Sequence, residues 1–308
     1  MNQAAGQDAF FPTLQEGRRQ FLALVQDIRP LLHRYCARMT GSVAQGEDVV
    51  QDSLAQAYYE LSELKELPAM RSWLFRIAHN RALDYLRRYE RRMVEPLDED
   101  FDTPDGNASN PEDALAHKQA VRAAVTRFLE LVPLQRSCVI LKDVLDYPID
   151  EIALLLDLSL PAVKAALHRG RERLRMLLDT PEPASPPRAV SPGLARYAAL
   201  FGAHDWDGVR AMLAEDVRLD LVSRSRRSGR EQVGSYFSNY ASHTDWHLVP
   251  AWLEGRAVIA VFRNKADTSP GYFMELGLVE GKVATIRDFR YVPYIAHDAA
   301  ITLATARA

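Results

Sequence analysis

The stretch DEIALLLDLSLPAVKAALHRGRERLRMLL, residues 150–178, decides how this chain is read. Ile152, Ala153 and Leu156 fall on one face of a short helix, and Val163, Leu167 and Leu174 on one face of a second. Leu158 and Ser159 form the turn between them, with Ser159 as N-cap and Pro161 in the first helical turn. The opposite face of the second helix carries Lys164, His168, Arg171 and Arg175, flanked by Arg169 and Arg173. Such a pair is a helix–turn–helix whose second member lines cations along one side, where phosphates and major-groove base edges would meet them. A solvated basic face is the plain alternative, so the surrounding pattern has to decide.

That pattern is strongly organised. Between Arg71 and Arg92 there are seven arginines against Asp84 and Glu90, whereas Glu95–Asp113 holds eight carboxylates and no Lys or Arg. The order is basic helix, acidic linker, second basic helix. Helical periodicity runs through the whole region: Phe21, Leu24, Ile28, Leu31, Leu32 and Tyr35 form one stripe, with Pro30 opening a new helix or kinking this one. Val50, Leu54, Ala57, Tyr58 and Leu61 form a second, and Trp73, Ile77, Ala78, Tyr85 and Leu86 a third. The Arg71–Arg92 helix interleaves Trp73, Phe75, Tyr85 and Tyr89 with Arg76, Asn80, Arg81, Arg87 and Arg88. Rings stack on unpaired bases while guanidiniums hold the backbone, although Trp73 and Tyr85 also suit a core.

Past residue 178 the character changes. Asp179–Pro192 contains five prolines and reads as a semi-stiff spacer. Leu194–Leu213 and Arg230–Tyr240 are amphipathic helical stretches. Val217–Val222, Trp246–Leu253, Val258–Arg263, Tyr272–Val279 and Val283–Arg290 are β-like, with a hairpin turn at Glu280-Gly281. A curved antiparallel sheet wrapped over helices follows, an α+β domain. Its candidate pocket residues are Trp206, Trp246, Trp252 and Phe273, with Phe262 beside them. Asp245, His247 and Asp288 are its candidate acids or bases, although nothing forms a nucleophile–base pair. Arg224, Arg226 and Arg227 fall in a loop, as a solvated cluster or a contact for DNA or the acidic linker.

Composition sets the outer limits. The 308 residues carry 38 Lys+Arg against 41 Asp+Glu, a net charge of -3, which excludes a uniformly basic nucleic-acid coat but not local patches. The cysteines, Cys36 and Cys138, suit buried reduced thiols and exclude a disulfide framework or a Cys-rich metal site. No apolar run approaches the ~18 residues of a membrane span, and residues 1–14 lack a signal-peptide layout. A soluble, cytoplasmic protein without metal or cofactor is expected.

Three ordered motifs over residues 15–178 resemble the extracytoplasmic-function group of sigma-70-family transcription initiation factors. Residues 46–52 (GEDVVQD) are similar to that group's core-polymerase-binding segment, and residues 71–88 (RSWLFRIAHNRALDYLRR) to its promoter-melting helix. Residues 131–136 (LVPLQR), 150–153 (DEIA) and 163–171 (VKAALHRGR) match its second DNA-binding unit. The resemblance implies that Asp48, Gln51 and Asp52 face the β′ clamp of core RNA polymerase, with the β subunit a further partner. It implies that Arg71, Trp73, Arg76, Asn80, Asp84, Arg87 and Arg88, with the loop 62–70, handle the -10 element. Lys164, His168, Arg169, Arg171 and Arg175 would meet the -35 element, and the acidic linker would run near the polymerase active centre. Three positions depart from the group's pattern: Asp146 replaces a common Gly, Pro148 a small N-cap, and Ala166 an Arg, which removes one phosphate contact.

Residues 193–292 resemble the SnoaL-like, or nuclear-transport-factor-2-like, cone fold, through His204–Val209, Leu213–Val217 and Gly229–Val233. Sigma factors with this appendage form a subgroup in which it regulates sigma activity within one chain, and a small-molecule ligand for it is a further expectation. The expected architecture is thus multidomain: an extension (1–14), a helical region 2-like domain (15–92), an acidic linker (93–114), a region 4-like helix–turn–helix domain (115–178), a Pro-rich linker (179–192), the α+β cone (193–295) and a tail (296–308). The protein would be an alternative sigma factor rather than an enzyme. A ligand-responsive helix–turn–helix regulator, or a SnoaL-like enzyme fused to a DNA-binding module, are the alternatives; the first leaves the motifs at 46–92 unexplained.

Overall fold

The structure, a computed structural model, describes residues 4–61, 70–93, 111–179, 189–240, 245–264 and 266–304. Two compact units emerge, residues 1–182 and 183–308, each with its own hydrophobic core. The expected loop 62–69, most of the acidic linker and most of the Pro-rich linker lie outside the described residues.

Unit 1 is helical: α1 (Ala4–Thr40), α2 (Val43–Leu61), α3 (Met70–Met93), α4 (Pro111–Arg122), α5 (Pro133–Val139), α6 (Ile149–Leu156) and α7 (Leu160–Asp179). A 3₁₀ turn spans Val125–Glu130, and a π-helical turn, Ile140–Val144, extends α5. Pro30 lies inside α1 instead of opening a new helix. Asp146 adopts a left-handed φ of 56° and Pro148 is the N-cap of α6, so both departures are accommodated as their chemistry allows. Ser159 caps α7 by accepting the Ala162 N–H at 3.3 Å.

The two halves that the acidic linker separates in sequence share one continuous core. Leu32, Tyr35 and Met39 of α1 join Val50 and Ala57 of α2, Phe75 and Ala78 of α3, then Cys138, Ile152, Val163 and Leu167 of the second half. Close approach sets the geometry at two glycines. A Cβ on Gly46 would lie 2.5 Å from the Ala37 backbone, and one on Gly170 would lie 2.6 Å from Val139. These positions let α2 seat on α1 and α7 on α5.

One buried cation stitches the halves together. The Arg136 side chain, 4% exposed, donates from Nη1 to the Met39 carbonyl (2.5 Å), from Nη2 to those of Leu129 (3.1 Å) and Leu131 (2.8 Å), and from Nε to Leu131 (3.2 Å). Met39 belongs to the last turn of α1, and Leu129 and Leu131 to the end of the 3₁₀ turn, so the guanidinium satisfies carbonyls that helix ends leave without partners.

Unit 2 has α8 (Pro192–Gly202), α9 (Trp206–Met212) and α10 (Arg230–Tyr236) against one face of a seven-stranded sheet. Its strands are β1 (Leu213–Leu221), β2 (Ser225–Ser228), β3 (His247–Leu253), β4 (Arg256–Phe262), β5 (Tyr272–Val279), β6 (Lys282–Asp288) and β7 (Ile301–Leu303), in the order β2-β1-β6-β5-β4-β3-β7. The pairing is antiparallel except between β1 and β6, which run parallel. The single helical stretch expected over 194–213 is two helices. His204 takes a left-handed φ of 56°, and Asp205 then caps α9 by accepting the Gly208 N–H. Arg226 and Arg227, expected in a loop, form β2 with Ser225 and Ser228, and the expected tail contributes β7.

Replacing Arg136 by Met removes four hydrogen bonds to three carbonyls and is expected to destabilise unit 1 by roughly 3 kcal/mol. Hydrogen exchange of the full chain should lose protection at the end of α1 and in α5 while β4 and β5 keep theirs. Unchanged protection in α1 and α5 would show that Arg136 is not a structural tie.

Candidate polymerase and nucleic-acid interface

On α2, Asp48 and Asp52 are exposed one turn apart and Gln51 is half-buried beside them. The stripe continues through Ala55 to Tyr59, which is 74% exposed, an aromatic end to an acidic face that the sequence motif did not single out. Its signal was available, since Tyr59 follows Asp48, Asp52 and Ala55 at helical spacing. Glu47, inside the same motif, points inward and is ion-paired with Arg29.

On α3, Arg71, Arg76, Asn80, Arg87 and Arg88 are exposed, and Asp84 is half-buried 3.6 Å from Arg87. Trp73 is half-buried and packs against the core, which favours its packing role. Two of the cations are engaged by the second half of the unit. Arg71 Nε donates to the Tyr147 hydroxyl at 3.1 Å, its guanidinium 5.7 Å from that ring, and Arg76 Nη2 donates to the Leu154 carbonyl of α6 at 3.1 Å. Phe75 meets Tyr147 edge-on at 5.2 Å.

The seam between the halves has a polar centre. The Tyr35 hydroxyl lies 2.7 Å from His79 Nδ1 and donates to Ser137 Oγ at 3.1 Å. Burial holds His79 down at about 4, so its ring is neutral at neutral pH. Burial also raises Tyr35 above the ordinary phenol range and pushes the Cys138 thiol up to about 12, leaving both thiols as buried, inert, free cysteines.

The expected cationic row on α7 is divided. Lys164, His168 and Arg175 are exposed and Arg169 is half-buried. Arg171 turns inward and grips Asp143 with two charge-assisted hydrogen bonds, Nε to Oδ2 at 2.8 Å and Nη2 to Oδ1 at 2.5 Å. Asp143 is 2% exposed, so this pair anchors the helix instead of facing a groove. Ala166 is fully buried, so its position does not present a side chain outward. Arg173 lies 3.7 Å from Glu130.

The pocket residues of unit 2 do not all converge. Trp206, the first residue of α9, and Trp246 are partly buried against the core of unit 2, where Trp206 meets Phe201 edge-on at 5.0 Å. Trp252 pairs with Ala257 and so shares the Leu248 face. Phe273 pairs with Ala260 on the opposite face and packs on Phe289 at 4.5 Å. Among the candidate acids and bases, Asp245 is exposed, His247 stacks on Phe262 at 4.6 Å, and Asp288 is buried. Among the described residues, no three His, Cys, Asp or Glu side chains are grouped to hold a metal, and no helix is long and apolar enough to cross a membrane.

Residues 24–92 match the family model for Sigma-70 region 2, residues 122–174 that for Sigma-70 region 4, and residues 194–292 that for the SnoaL-like domain. These define a sigma-70-type protein with a SnoaL-like appendage. The ECF RNA polymerase sigma factor SigG of Mycobacterium tuberculosis is 31% identical over 224 residues, 62% of this chain and 58% of SigG, so the match spans less than two thirds of that relative. SigM of the same organism, also an ECF RNA polymerase sigma factor, is 32% identical over 149 residues, 48% of this chain and 71% of SigM. The crystal structure of the M. tuberculosis extracytoplasmic function sigma factor SigJ aligns over 87% of this chain and 95% of its own, with 20% identity and a TM-score of 0.35. The chain belongs to the extracytoplasmic-function RNA polymerase sigma factors.

Because His79 is held well below its unfolded value of about 6.5, the unfolded chain binds the extra proton first. Its contribution is complete above pH 6.5 and is lost as pH falls toward 4. Unit 1 should lose about 2 kcal/mol between pH 7 and pH 5 from this residue alone. Urea unfolding of full chain and His79→Gln at both pH values checks this; equal pH dependence in the two proteins would remove His79 as the cause.

Proposed function

We propose that this chain is an alternative sigma factor that docks on core RNA polymerase through the α2 stripe, reads the -10 element with α3 and the -35 element with α7, and helps melt the promoter. The observation that carries this reading is the order of three faces in one helical unit: acidic on α2, arginine-rich on α3 and cationic on α7. An acidic stripe suits a basic clamp surface. Exposed arginines on a helix with half-buried aromatics suit a melted strand, and Lys164, His168 and Arg175 suit duplex phosphates and base edges. The polymerase supplies the chemistry, so the chain's own role is recognition.

The same reading assigns a closed state to unit 1. Arg71 and Arg76 are occupied by Tyr147 and Leu154, so -10 binding requires the α3–α6 contact to open, and polymerase docking would supply that separation. Unit 2, tethered through the Pro-rich stretch, regulates the step in cis, since a short tether gives a high local concentration. A promoter, a polymerase and a small molecule acting on unit 2 are the partners of this scheme, and the site of action is the cytoplasm.

Run-off transcription with purified core polymerase should give specific initiation by the full chain, with output changed when the chain ends at Asp179. Lys164→Ala and Arg175→Ala should each weaken -35 duplex binding several-fold and lower the salt slope by about one. Arg171→Ala should instead lower the stability of unit 1. Failure of both chains to bind core polymerase would overturn the sigma-factor reading.

A further inference from the structure

Residues 217–230 of unit 2, VRLDLVSRSRRSGR, hold five arginines and one acid, Asp220. The fold turns this segment into an edge. β2 is an outermost strand of the sheet, joined to β1 by a tight turn in which Ser223 takes a left-handed φ of 68°. The Arg224 N–H donates to the Leu221 carbonyl at 2.8 Å and the Val222 N–H to the Asp288 carbonyl at 3.0 Å, so the turn is pinned to the end of β6. Strand register then sends the cations to both faces of the edge. Arg227 pairs with Leu219 and lies 5.6 Å over the Tyr236 ring of α10, on the face that the helices cover. Arg226 pairs with Asp220, and Ser228 with Arg218, on the opposite face. Arg218, Arg224 and Arg226 are exposed, as are Ser223, Ser225 and Ser228.

The arginines of unit 2 have two kinds of partner. Arg210, Arg230 and Arg256 are ion-paired with Asp207, Glu215 and Glu254 at 2.8, 2.7 and 3.2 Å. At the hairpin the partners are rings: Arg227 lies over Tyr236, and Arg224 lies 5.7 Å from the Tyr291 ring, with Arg290 5.9 Å from the same ring. A ring orients a guanidinium without cancelling its charge or occupying its N–H donors. Arg226 does meet a carboxylate, Asp220 at 3.5 Å, but Asp220 is shared with Arg287 at 3.8 Å, and the Arg226 side chain stays 82% exposed. The edge therefore keeps positive charge on side chains that are already oriented. Defence of an open edge against strand pairing accounts for a charge on β2. It does not account for Arg224 in the turn or for the rings that hold Arg224 and Arg227.

The surface selects among polyanions. Guanidiniums and hydroxyls suit phosphate oxygens. A single strand would need a row of open ring faces for its bases, whereas Tyr291 is the one exposed Phe, Tyr or Trp among the described residues of unit 2. A duplex offers phosphates along both sides of a groove, which matches cations on both faces of one edge.

We propose that the β1–β2 hairpin of unit 2 is a further, sequence-independent DNA contact, in which Arg224, Arg226 and Arg227 hold backbone phosphates of a duplex. It goes beyond the roles of α3 and α7 and does not rest on them, because such a contact takes a duplex of any sequence. Fluorescence anisotropy of the full chain with a short labelled duplex of arbitrary sequence, over a salt series, tests it. Two unrelated duplexes should bind alike. Replacing all three arginines together (Arg224→Ser, Arg226→Ser, Arg227→Ser) should weaken binding at least about tenfold at low salt and flatten the log–log salt slope by roughly 2.7, about 0.9 per phosphate. Arg224→Gln leaves β2 intact and should flatten the slope by about 0.9, which decides the matter if the triple variant melts below wild type. Duplex should also shield Arg224 and Arg226, but not Arg256, from phenylglyoxal in the wild-type chain. No duplex binding by the full chain, unchanged slopes in both variants, or no shielding would overturn the proposal. So would tighter binding of a single strand than of the duplex, and competition by a polyglutamate peptide as effective as duplex at equal charge would reassign the hairpin to an acidic protein. Run-off transcription keeps the readings apart: specific initiation with unchanged salt slopes overturns only this proposal, and failed initiation with flattened slopes overturns only the sigma-factor reading.

Discussion

Everything in unit 1 hangs on a cation that binds carbonyls. Arg136 sits where α1 ends and the 3₁₀ turn ends, two places where backbone oxygens lack helical partners and carry partial negative charge. A guanidinium has a rigid fan of donors, so one side chain can fix the relative position of two chain segments nearly a hundred residues apart. Tyr35, His79 and Ser137 then line up in the same seam, and the apolar residues around them close into a single core. Desolvating these groups is unfavourable, and the network is stable because each polar atom named in it has a partner.

That seam also governs what the recognition surfaces can reach. On the proposed reading, α3 and α7 have to contact separate promoter elements, yet Arg71 and Arg76 of α3 are held by residues of the half that carries α7. Affinity for DNA is then scaled by the fraction of molecules in which those contacts are open. Regulation can act on this fraction without touching a single DNA contact, which is a natural point of action for an appended domain.

The helical framework was legible because its periodicity is local. The stripes of α1, α2, α3 and α7, the cap at Ser159 and the tolerance of Asp146 for positive φ follow from residues within a turn of one another. What depended on distant partners was not legible. Arg171 looked like its neighbours Lys164 and Arg175, and only the fold brings Asp143, 28 positions earlier, against it. An acid within the apolar run Cys138–Val144 was the one hint. The shared core of the two halves, the parallel β1–β6 pair and the short strand β2 likewise rest on non-local pairing, and β2 has no apolar alternation to announce it. In unit 2 the aromatic content suggested a lined interior, but which rings share a face was set by register. Phe273 was separated from Trp246 in this way, while Asp288 was drawn inward among tyrosines that had not been singled out.

The π-helical turn at Ile140–Val144 has a mechanical meaning. Its hydrogen bond from the Leu145 N–H to the Ile140 carbonyl spans five residues instead of four, so the turn is wider by about one residue. Within it Ile140, Leu141, Asp143 and Val144 are all buried, a distribution that a regular α-helical turn, with its fixed angular step, does not give easily. The carboxylate that clamps Arg171 is therefore aimed by an irregularity in the preceding helix. A one-residue deletion there would restore regular winding and swing Asp143 away. The pointing direction of the helix–turn–helix is thus encoded in the thread of a neighbouring screw, outside the motif by which such domains are recognised.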